Sequence, residues 1–346
     1  MIVIIDMQND GYFHAPFNAS MIELLPAATV LYLRETHLVH LLACLSSEAH
    51  GEILAKVHTI PRSARWPTAA ADTLDLLRIA FRHRRTEHKL VVLSLGSTAL
   101  AALLAVRGIL KSTFVFSHSL DSITAKSRRA AWAVKCGAVL GGVFSRSGGR
   151  FAVIFQRKPE GTPPLVDLVR IGQPDVEVAY IPHPIARGYS ARIDTREKRR
   201  FLYLGPPRPE KSPQRYEELA AGAHGRGLEV VHISSQNHPW RYPNVRHEEP
   251  VGAMSGSVRV GDIVFCAYDD AHYQMTESGT FLDALSVGAW AIVTKRRSAQ
   301  LRSEFAGLIF YISVGDEYVL VKPKRKFAAA LNRICRERVE NIIVSA

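Results

Sequence analysis

The amino-acid sequence predicts an α/β protein built from two doubly wound domains in tandem. Its 346 residues exceed one ordinary domain and fit two domains of about 150–180 residues each. Apolar, strand-like runs alternate with helical patterns in both halves of the chain, which is typical of βαβ units and a parallel sheet. A charged stretch with two prolines, residues 180–200, separates the two series and predicts an interdomain linker.

The first series begins with the apolar run at the start of the sequence. Strands are predicted at 2–5, 29–33, 90–95, 113–116, 138–143 and 151–155. Helices are predicted at 20–25, 69–82, 97–110 and 122–134. These elements form a predicted N-terminal domain over residues 1–185.

The second series follows the linker. Strands are predicted at 200–204, 228–233, 244–247, 262–266, 289–294 and 308–312, and helices at 212–224, 280–287 and 324–339. We therefore predict a second domain over 186–325 and a C-terminal helix, 326–346, that crosses back to the first domain. Two such domains place a cleft between the carboxyl ends of their sheets, where ligands of doubly wound folds bind.

Composition limits the partners of the protein. The net charge of +12 favours an anionic partner, which leaves nucleic acid, an acidic membrane surface and phosphorylated substrates open. The cysteines are far apart in the sequence, which favours a reducing compartment. Because no apolar run is long enough to span a bilayer, we expect a soluble, cytoplasmic protein.

The loop after the strand at 200–204 has the residues of a diphosphate site. The strand ends at Gly205, two cations follow at Arg208 and Lys211, and Ser212 with Pro213 suits the start of a helix. Cations beside the positive end of a helix bind phosphate groups. A solvated basic loop is the alternative interpretation.

The loop before the helix at 280–287 is the second informative segment. It ends in Glu277, Ser278, Gly279 and Thr280, which offer hydroxyl groups and a flexible backbone beside the first amides of the helix. Asp283 lies one turn further on, where a carboxylate can accept hydrogen bonds from a ribose. An ordinary capped helix is the alternative.

The chain resembles the donor domain of GT-B glycosyltransferases in two segments, FLYLGPPRPEK and SGTFLDALSVGAWAIV. The resemblance is closest to bacterial exopolysaccharide or lipid-linked-oligosaccharide glycosyltransferases and covers residues 200–312. It implies two Rossmann-like domains facing a central cleft. It also implies a nucleoside-diphosphate sugar, with UDP or GDP as the nucleotide, as the substrate and no further cofactor.

The resemblance also implies roles for individual residues. Arg208 and Lys211 would neutralise the donor diphosphate beside Gly205. The remaining donor contacts would be Ser278, Gly279 and Thr280 to the phosphates, and Asp283 and Glu277 to the ribose or the sugar.

Polar residues after strands of the N-terminal domain are candidates for acceptor binding and catalysis. Asp6 and His14 follow the first strand, and His14 could take a proton from a sugar hydroxyl. His118 follows another strand, and in GT-B enzymes a histidine there can contact the donor sugar. Hydrogen-bonded loop histidines are the alternative. Gly96, Ser97 and Thr98 likewise lie between a predicted strand, 90–95, and a predicted helix.

No metal is expected in the site. Asp269 and Asp270 are adjacent, without the spacer of a DxD element. Two cations and a helix dipole can stabilise a leaving diphosphate instead.

Basic residues of the N-terminal half suggest a membrane surface as a further partner. The residues Arg78, Arg82, His83, Arg84 and Arg85 lie toward the end of an amphipathic helix whose apolar face is predicted to be Leu74, Leu77, Ala80 and Phe81. A core-packed helix with a solvated basic end is the alternative. Further cations of this half are Arg128, Arg129, Lys135, Arg146 and Arg150. We expect no nucleic acid, because no nucleic-acid-binding motif is present.

The sequence therefore predicts a metal-independent hexosyltransferase that moves a sugar from a nucleoside diphosphate to a glycan or polyprenyl-diphosphate-linked saccharide. Its expected setting is polysaccharide synthesis at the inner face of a cell membrane. Two alternatives stay open: a sugar-nucleotide epimerase of the same architecture, and a non-catalytic partner subunit of the same fold.

Overall fold

A computed structural model describes most of the chain, and the described ranges are 1–8, 14–25, 29–45, 47–61, 68–84, 87–110, 112–118, 120–144, 149–157, 162–185, 199–250, 254–269 and 279–345. The chain divides into two compact units. Unit 1 comprises Met1–Gly188 with Ile334–Ala346, and unit 2 comprises Tyr189–Arg333. Of the predicted linker, residues 186–198 lie outside the described residues.

Unit 1 is a parallel sheet of seven strands in the order β3-β2-β1-β4-β5-β6-β7. The strands are β1 (Ile2–Asp6), β2 (Thr29–Arg34), β3 (Val57–Ile60), β4 (Lys89–Ser94), β5 (Ser112–Phe116), β6 (Arg150–Phe155) and β7 (Glu177–Tyr180). The helices are α1 (Ala15–Leu24), α2 (Glu35–Cys44), α3 (Ser47–Leu54), α4 (Thr68–His83), α5 (Ser97–Val106), α6 (Leu120–Lys126), α7 (Arg128–Phe144) and α8 (Pro164–Arg170). Every residue of β1 is buried, as expected for a parallel strand covered on both faces.

Unit 2 repeats the plan with the order β10-β9-β8-β11-β12-β14-β13. Its strands are β8 (Arg200–Leu204), β9 (Glu229–Ile233), β10 (Arg246–Glu248), β11 (Ile263–Phe265), β12 (Trp290–Thr294), β13 (Ile309–Val314) and β14 (Tyr318–Pro323). Its helices are α9 (Pro213–Gly225), α10 (Gly279–Ser286) and α11 (Lys295–Glu304), and α12 (Phe327–Val339) begins in unit 2 and ends in the part of the chain that belongs to unit 1. β14 pairs antiparallel with both β12 and β13, so a hairpin closes this edge of the sheet.

The predicted class, two doubly wound α/β sheets, is therefore confirmed. In each sheet, the strands that come first in the sequence are added on one side of the first strand, and later strands are added on its other side. In unit 1 this switch point lies between β1 and β4, and in unit 2 it lies between β8 and β11. Crevices at such points are where doubly wound folds bind ligands.

Several element predictions differ from the structure, and the predicted helix 122–134 is divided between α6 and α7. The segment 138–143 is part of the long helix α7 and not a strand. The first helix begins at Ala15 instead of residue 20, so Asn18 and Ser20 lie inside it. Of the predicted apolar face of α4, Ala80 is buried and Leu77 and Phe81 are half-buried, but Leu74 is 51% exposed; α4 also buries Leu76 and Ile79, which were not predicted.

The C-terminal segment of the chain packs on unit 1. After α12, a π-helical turn covers Glu340–Val344. The Lys89 ammonium donates to the carbonyl of Val344, and Arg150 Nη1 donates to the carbonyl of Ile342 over 3.0 Å. Both cations stand at the amino ends of strands, so they tie this turn to the edge of the sheet opposite the switch-point crevice.

Candidate functional site

The carboxylate of Asp6 is the centre of a buried network at the switch point of unit 1. Asp6 ends β1, is 3% exposed, and accepts hydrogen bonds from Ser94 Oγ at 2.7 Å and from the Asn18 amide. His37 Nε2 lies 3.3 Å from the same carboxylate and 3.1 Å from Asn18 Nδ2. Because these donors occupy the carboxylate, Asp6 holds β1, β4, α1 and α2 in register.

Two of the predicted catalytic residues, His14 and His118, come together beside this network. His14 precedes α1 and His118 follows β5, and their ring centroids are 4.6 Å apart. Both have left-handed backbones, with φ of 57° and 37°. Such angles are uncommon for residues other than glycine and concentrate at functional sites.

The surrounding side chains fix these two imidazoles. The Phe17 ring lies 4.6 Å from His118 and 4.8 Å from a third imidazole, His183. Gln156 Nε2 lies 2.6 Å from His118 Nδ1. Neither Gln156 nor His183 was predicted, because Gln156 follows a buried strand and His183 lies in a segment interpreted as a linker.

Burial keeps the histidine cluster neutral. Loss of solvation lowers the pKa of His14, against the opposing effect of the Asp6 carboxylate. The pKa of His118 falls well below its ordinary value through burial and the neighbouring His14 and His183, and burial lowers that of His183 to about 4. At neutral pH, His14 is therefore an uncharged imidazole with Asp6 nearby, a combination that can accept a proton.

A cavity of about 120 Å³ opens at the same switch point. Its lining mixes polar and apolar residues, namely Gln8, Asp72, Thr73, Ser94, Ser97 and Thr98, the N-cap Gly96 of α5, and Met7, Ala69, Leu76, Leu95 and Ala99. Two of its hydroxyl groups are already engaged, since Ser94 donates to the Asp6 carboxylate and Thr73 donates to the Ala69 carbonyl. Such a mixed lining suits a small group that presents both apolar and hydroxyl surface.

The loop after β8 forms the corresponding region of unit 2. Gly205 has a φ of 80°, and its carbonyl lies 3.0 Å from the ring nitrogen His232 Nε2. A 3₁₀ turn at Pro209–Lys211 leads to α9. Ser212 occupies the predicted cap position before Pro213, but it is left-handed (φ 50°) and its side chain makes no capping hydrogen bond.

The predicted cations of this loop lie beside the loop that follows β11. Lys211 Nζ donates to the Leu204 carbonyl at 3.0 Å and stands 5.9 Å from the centre of the Tyr268 ring. The Asp269 amide donates to the Glu210 carbonyl at 2.9 Å, so the two loops are joined through the backbone. Burial, followed by the positive charge of Arg208, lowers the pKa of Lys211 to about 8. Arg208 itself is exposed.

An aromatic recess adjoins the Gly205 loop. The Trp240 ring lies 5.1 Å from Tyr203 and 5.1 Å from His232. Within the described residues, the buried Trp240 Nε1 and His232 Nδ1 have no hydrogen-bond partner. Buried polar atoms of this kind cost free energy until a ligand or water satisfies them. Nothing in the sequence pattern singled out these two residues.

The helix predicted to cap the phosphates is present as α10. Gly279 and Thr280 form its first turn, without an acidic residue. Burial raises the pKa of Asp283, one turn on, to about 7. Glu277, Ser278 and Asp270 lie outside the described residues. Across the described parts of the chain, no group of His, Cys, Asp or Glu is arranged to hold a metal ion.

Comparison with known proteins gives only distant similarity, since no family model and no curated protein matches the chain. Two solved structures align over nearly the whole chain. A UGT transferase from Siraitia grosvenorii in complex with UDP is 10% identical, with 99% of this chain and 96% of that chain covered and a TM-score of 0.44. A UDP-glucosyltransferase from Polygonum tinctorium capable of glucosylating indoxyl, in complex with 3,4-dichloroaniline, is 11% identical, with 98% and 93% covered and a TM-score of 0.42.

Proposed function

We propose that the protein is a GT-B glycosyltransferase that transfers a sugar from a nucleoside diphosphate to a hydroxyl group. The observation that carries the proposal is the joining of two loops at the switch point of unit 2. There Lys211 stands over Tyr268 and beside Arg208, next to the β11 loop that leads to α10. Two cations at this position suit a diphosphate, which a doubly wound fold binds at the carboxyl ends of its strands.

The donor would use the polar atoms around these cations. Lys211 and Arg208 would balance the charge that develops on the diphosphate as the bond to the sugar breaks. The unsatisfied nitrogen atoms of Trp240 and His232 would offer one donor and one acceptor to the nucleoside. In this proposal Asp283 accepts hydrogen bonds from the ribose, Glu277 contacts the sugar, and Ser278, Gly279 and Thr280 bind phosphate.

The acceptor would use unit 1. His14, neutral and close to Asp6, would take the proton of the attacking hydroxyl if the reaction inverts the anomeric centre. The cavity beside α5, with Ser97 and Thr98 in its lining, would receive one hydroxyl-bearing group of a glycan or a lipid-linked saccharide. We further propose that the reaction needs no metal and that the donor carries UDP or GDP.

Nucleotide binding tests the proposal most directly. We expect UDP or GDP, but not both equally, to raise the melting temperature, because a ligand that binds only the folded state stabilises it. Lys211→Ala and Arg208→Ala should each lower turnover at least tenfold. Arg226→Ala is the matched control, since Arg226 is an exposed cation of unit 2 at the far end of α9.

Two results would contradict the proposal. One is an unchanged melting temperature with UDP, GDP, ADP and dTDP. The other is a Lys211→Ala variant that binds nucleotide as tightly as the original chain. Incubation with a sugar nucleotide alone separates the alternatives, because an epimerase converts it without an acceptor and a partner subunit leaves it unchanged.

A further inference from the structure

Helix α7 of unit 1 exposes large apolar side chains to solvent. Trp132 is 69% exposed and Val143 is 72% exposed, with Leu140 at 49% and Val139 at 42% between them. Their spacing of three, four and seven residues places them along one side of the helix. These four residues are called here the α7 outer face. A contiguous apolar patch on a water-soluble surface usually marks an interaction site.

The opposite side of α7 explains why these side chains cannot turn inward. It carries small residues, and Gly137 and Gly141 lie directly against the backbone of α5. A Cβ atom at either position would overlap a carbonyl oxygen, that of Ala101 or that of Leu104. The approach of the two helices therefore fixes the rotation of α7, because rotating Trp132 inward would drive an indole into the backbone of α5.

The charged residues of α7 itself are all positive. The sequence of α7 contains Arg128, Arg129 and Lys135 and no acidic residue. All three cations are exposed, and within the described residues none of them forms an ion pair. Arg128 and Arg129 lie in the first turn, where a positive charge opposes the helix dipole. An anionic partner would relieve this unfavourable arrangement.

We propose that the α7 outer face docks on an anionic lipid membrane. The helix would lie in the plane of the interface, with Trp132 and the aliphatic side chains in the headgroup and acyl boundary and the cations on the phosphates. This is surface binding, because the described residues contain no helix long and apolar enough to cross a bilayer. The inference goes beyond the proposed transfer reaction, and a binding measurement tests it without reference to activity.

Charge favours a membrane over a second copy of the chain. In a symmetric dimer through this face, each α7 would meet another α7, which is also positive and carries no acidic residue to pair with. An anionic bilayer supplies both an apolar phase and negative charge. The two signals together are what reversible membrane binding requires.

Vesicle flotation with the full chain tests the proposal. We expect binding to vesicles containing anionic phosphatidylglycerol, much weaker binding to vesicles of phosphatidylcholine alone, and weaker binding as the salt concentration rises. Combining Trp132→Ala with Val143→Asp should reduce binding at least tenfold. Replacing Arg128, Arg129 and Lys135 by Ala should reduce it roughly fivefold per cation, or about a hundredfold in total.

Matched variants locate the contact. Val39→Asp changes an apolar residue of α2 that is 70% exposed and should leave binding unchanged. Arg78→Ala with Arg82→Ala removes cations from the end of α4 and should have a smaller effect than the α7 variants. Lipids brominated on their acyl chains should quench the fluorescence of Trp132, and Trp132→Phe should bind while losing most of this quenching.

Several outcomes would overturn the proposal. These are equal binding to neutral and anionic vesicles, no binding at low salt, or a larger loss from the α4 variants than from the α7 variants. Sedimentation equilibrium tests one further outcome, association of the chain with itself. If the chain is a dimer that Val143→Asp dissociates while vesicle binding stays the same, the outer face is a contact between copies. Circular dichroism should show all variants folded, since each changed side chain is exposed.

Discussion

His14 and His118 combine left-handed backbones with imidazoles in ring contact. Each such conformation costs of the order of 1 kcal/mol in a non-glycine residue and persists only where the surroundings enforce it. Phe17, Gln156 and the carboxylate of Asp6 provide these surroundings. Backbone strain and lost solvation therefore coincide where the proposed reaction needs a proton acceptor.

Replacing His14 by Ala should lower kcat by roughly a hundredfold to ten-thousandfold, the usual contribution of a general base. Nucleotide binding should stay within about twofold, because the donor contacts lie in unit 2. The measurement is steady-state kinetics beside calorimetric binding of the nucleotide. His58→Ala is the control, since His58 is exposed on β3. An unchanged kcat would remove His14 from the mechanism or indicate a reaction that retains the anomeric configuration.

Lys211 should make nucleotide affinity depend on pH. Its pKa of about 8 means that the ammonium loses its proton as the pH rises through 8. The neutral amine no longer attracts a diphosphate. Affinity should therefore be constant near pH 7 and fall between pH 8 and 9.5. Lys211→Arg should keep its charge and flatten this profile, because a guanidinium does not titrate there. The same decline in both proteins would assign the effect to another group.

Among the elements, α7 shows most clearly why a single sequence is ambiguous. The run AVLGGV at 138–143 is apolar enough to predict a buried strand. In the structure it is helical, with glycines packed on α5 and the larger side chains exposed. Periodicity cannot separate a buried strand from a helix that is apolar on both sides, and only the close approach of α5 distinguishes them.

A glycine substitution tests that helix contact. Gly137→Ala should destabilise the protein by at least 1–3 kcal/mol, the usual range for overpacking, because the new methyl group meets the backbone of α5. Gly222→Ala, in the exposed part of α9, meets nothing within 4 Å and should stabilise by up to about 1 kcal/mol. Urea denaturation of both variants gives the comparison. Equal effects would mean that α7 does not touch α5 as described.

The loops of the candidate site were predictable to different degrees. His14, His118 and Lys211 lie in loops that follow strongly apolar strands, and the ends of such strands can be predicted from the sequence. His183 follows β7, a half-buried edge strand that lacks a clear apolar run. His232 lies within β9 and resembles a core position. Contacts between such residues depend on strand order, which local sequence does not encode.

At the scale of the whole molecule, both units share one construction, with a switch point beside the first strand of each sheet. Alternating strand and helix patterns were sufficient to predict this class. They were not sufficient to predict the antiparallel pairing of β14 with β12 and β13. Pairing partners depend on the global packing of the sheet, and Tyr318–Pro323, flanked by the charged residues Glu317 and Lys324, was not predicted as a strand.

The buried histidines should make the protein sensitive to mild acid. Burial lowers the pKa of His183 and His232 to about 4, so the unfolded chain, with ordinary values near 6.5, binds protons first. The free energy of unfolding should thus be highest above pH 7. It should decrease as the pH falls toward 4, by about 2 kcal/mol per histidine at pH 5.

Urea denaturation at a series of pH values measures this slope. His232→Gln should make the dependence shallower whatever its effect on stability at pH 8. A stability that is flat between pH 8 and 5 would show that these side chains are not held neutral in the folded state.

The attachment of the C-terminal segment to unit 1 has a consequence for synthesis in the cell. Lys89 and Arg150 emerge early from the ribosome, yet the carbonyls they bond, at Val344 and Ile342, emerge only after the whole of unit 2 has been made. The first unit therefore stays incomplete throughout translation of the second. Nascent chains stalled before residue 334 should consequently be more open to proteases and chaperones in their N-terminal half than the released protein is.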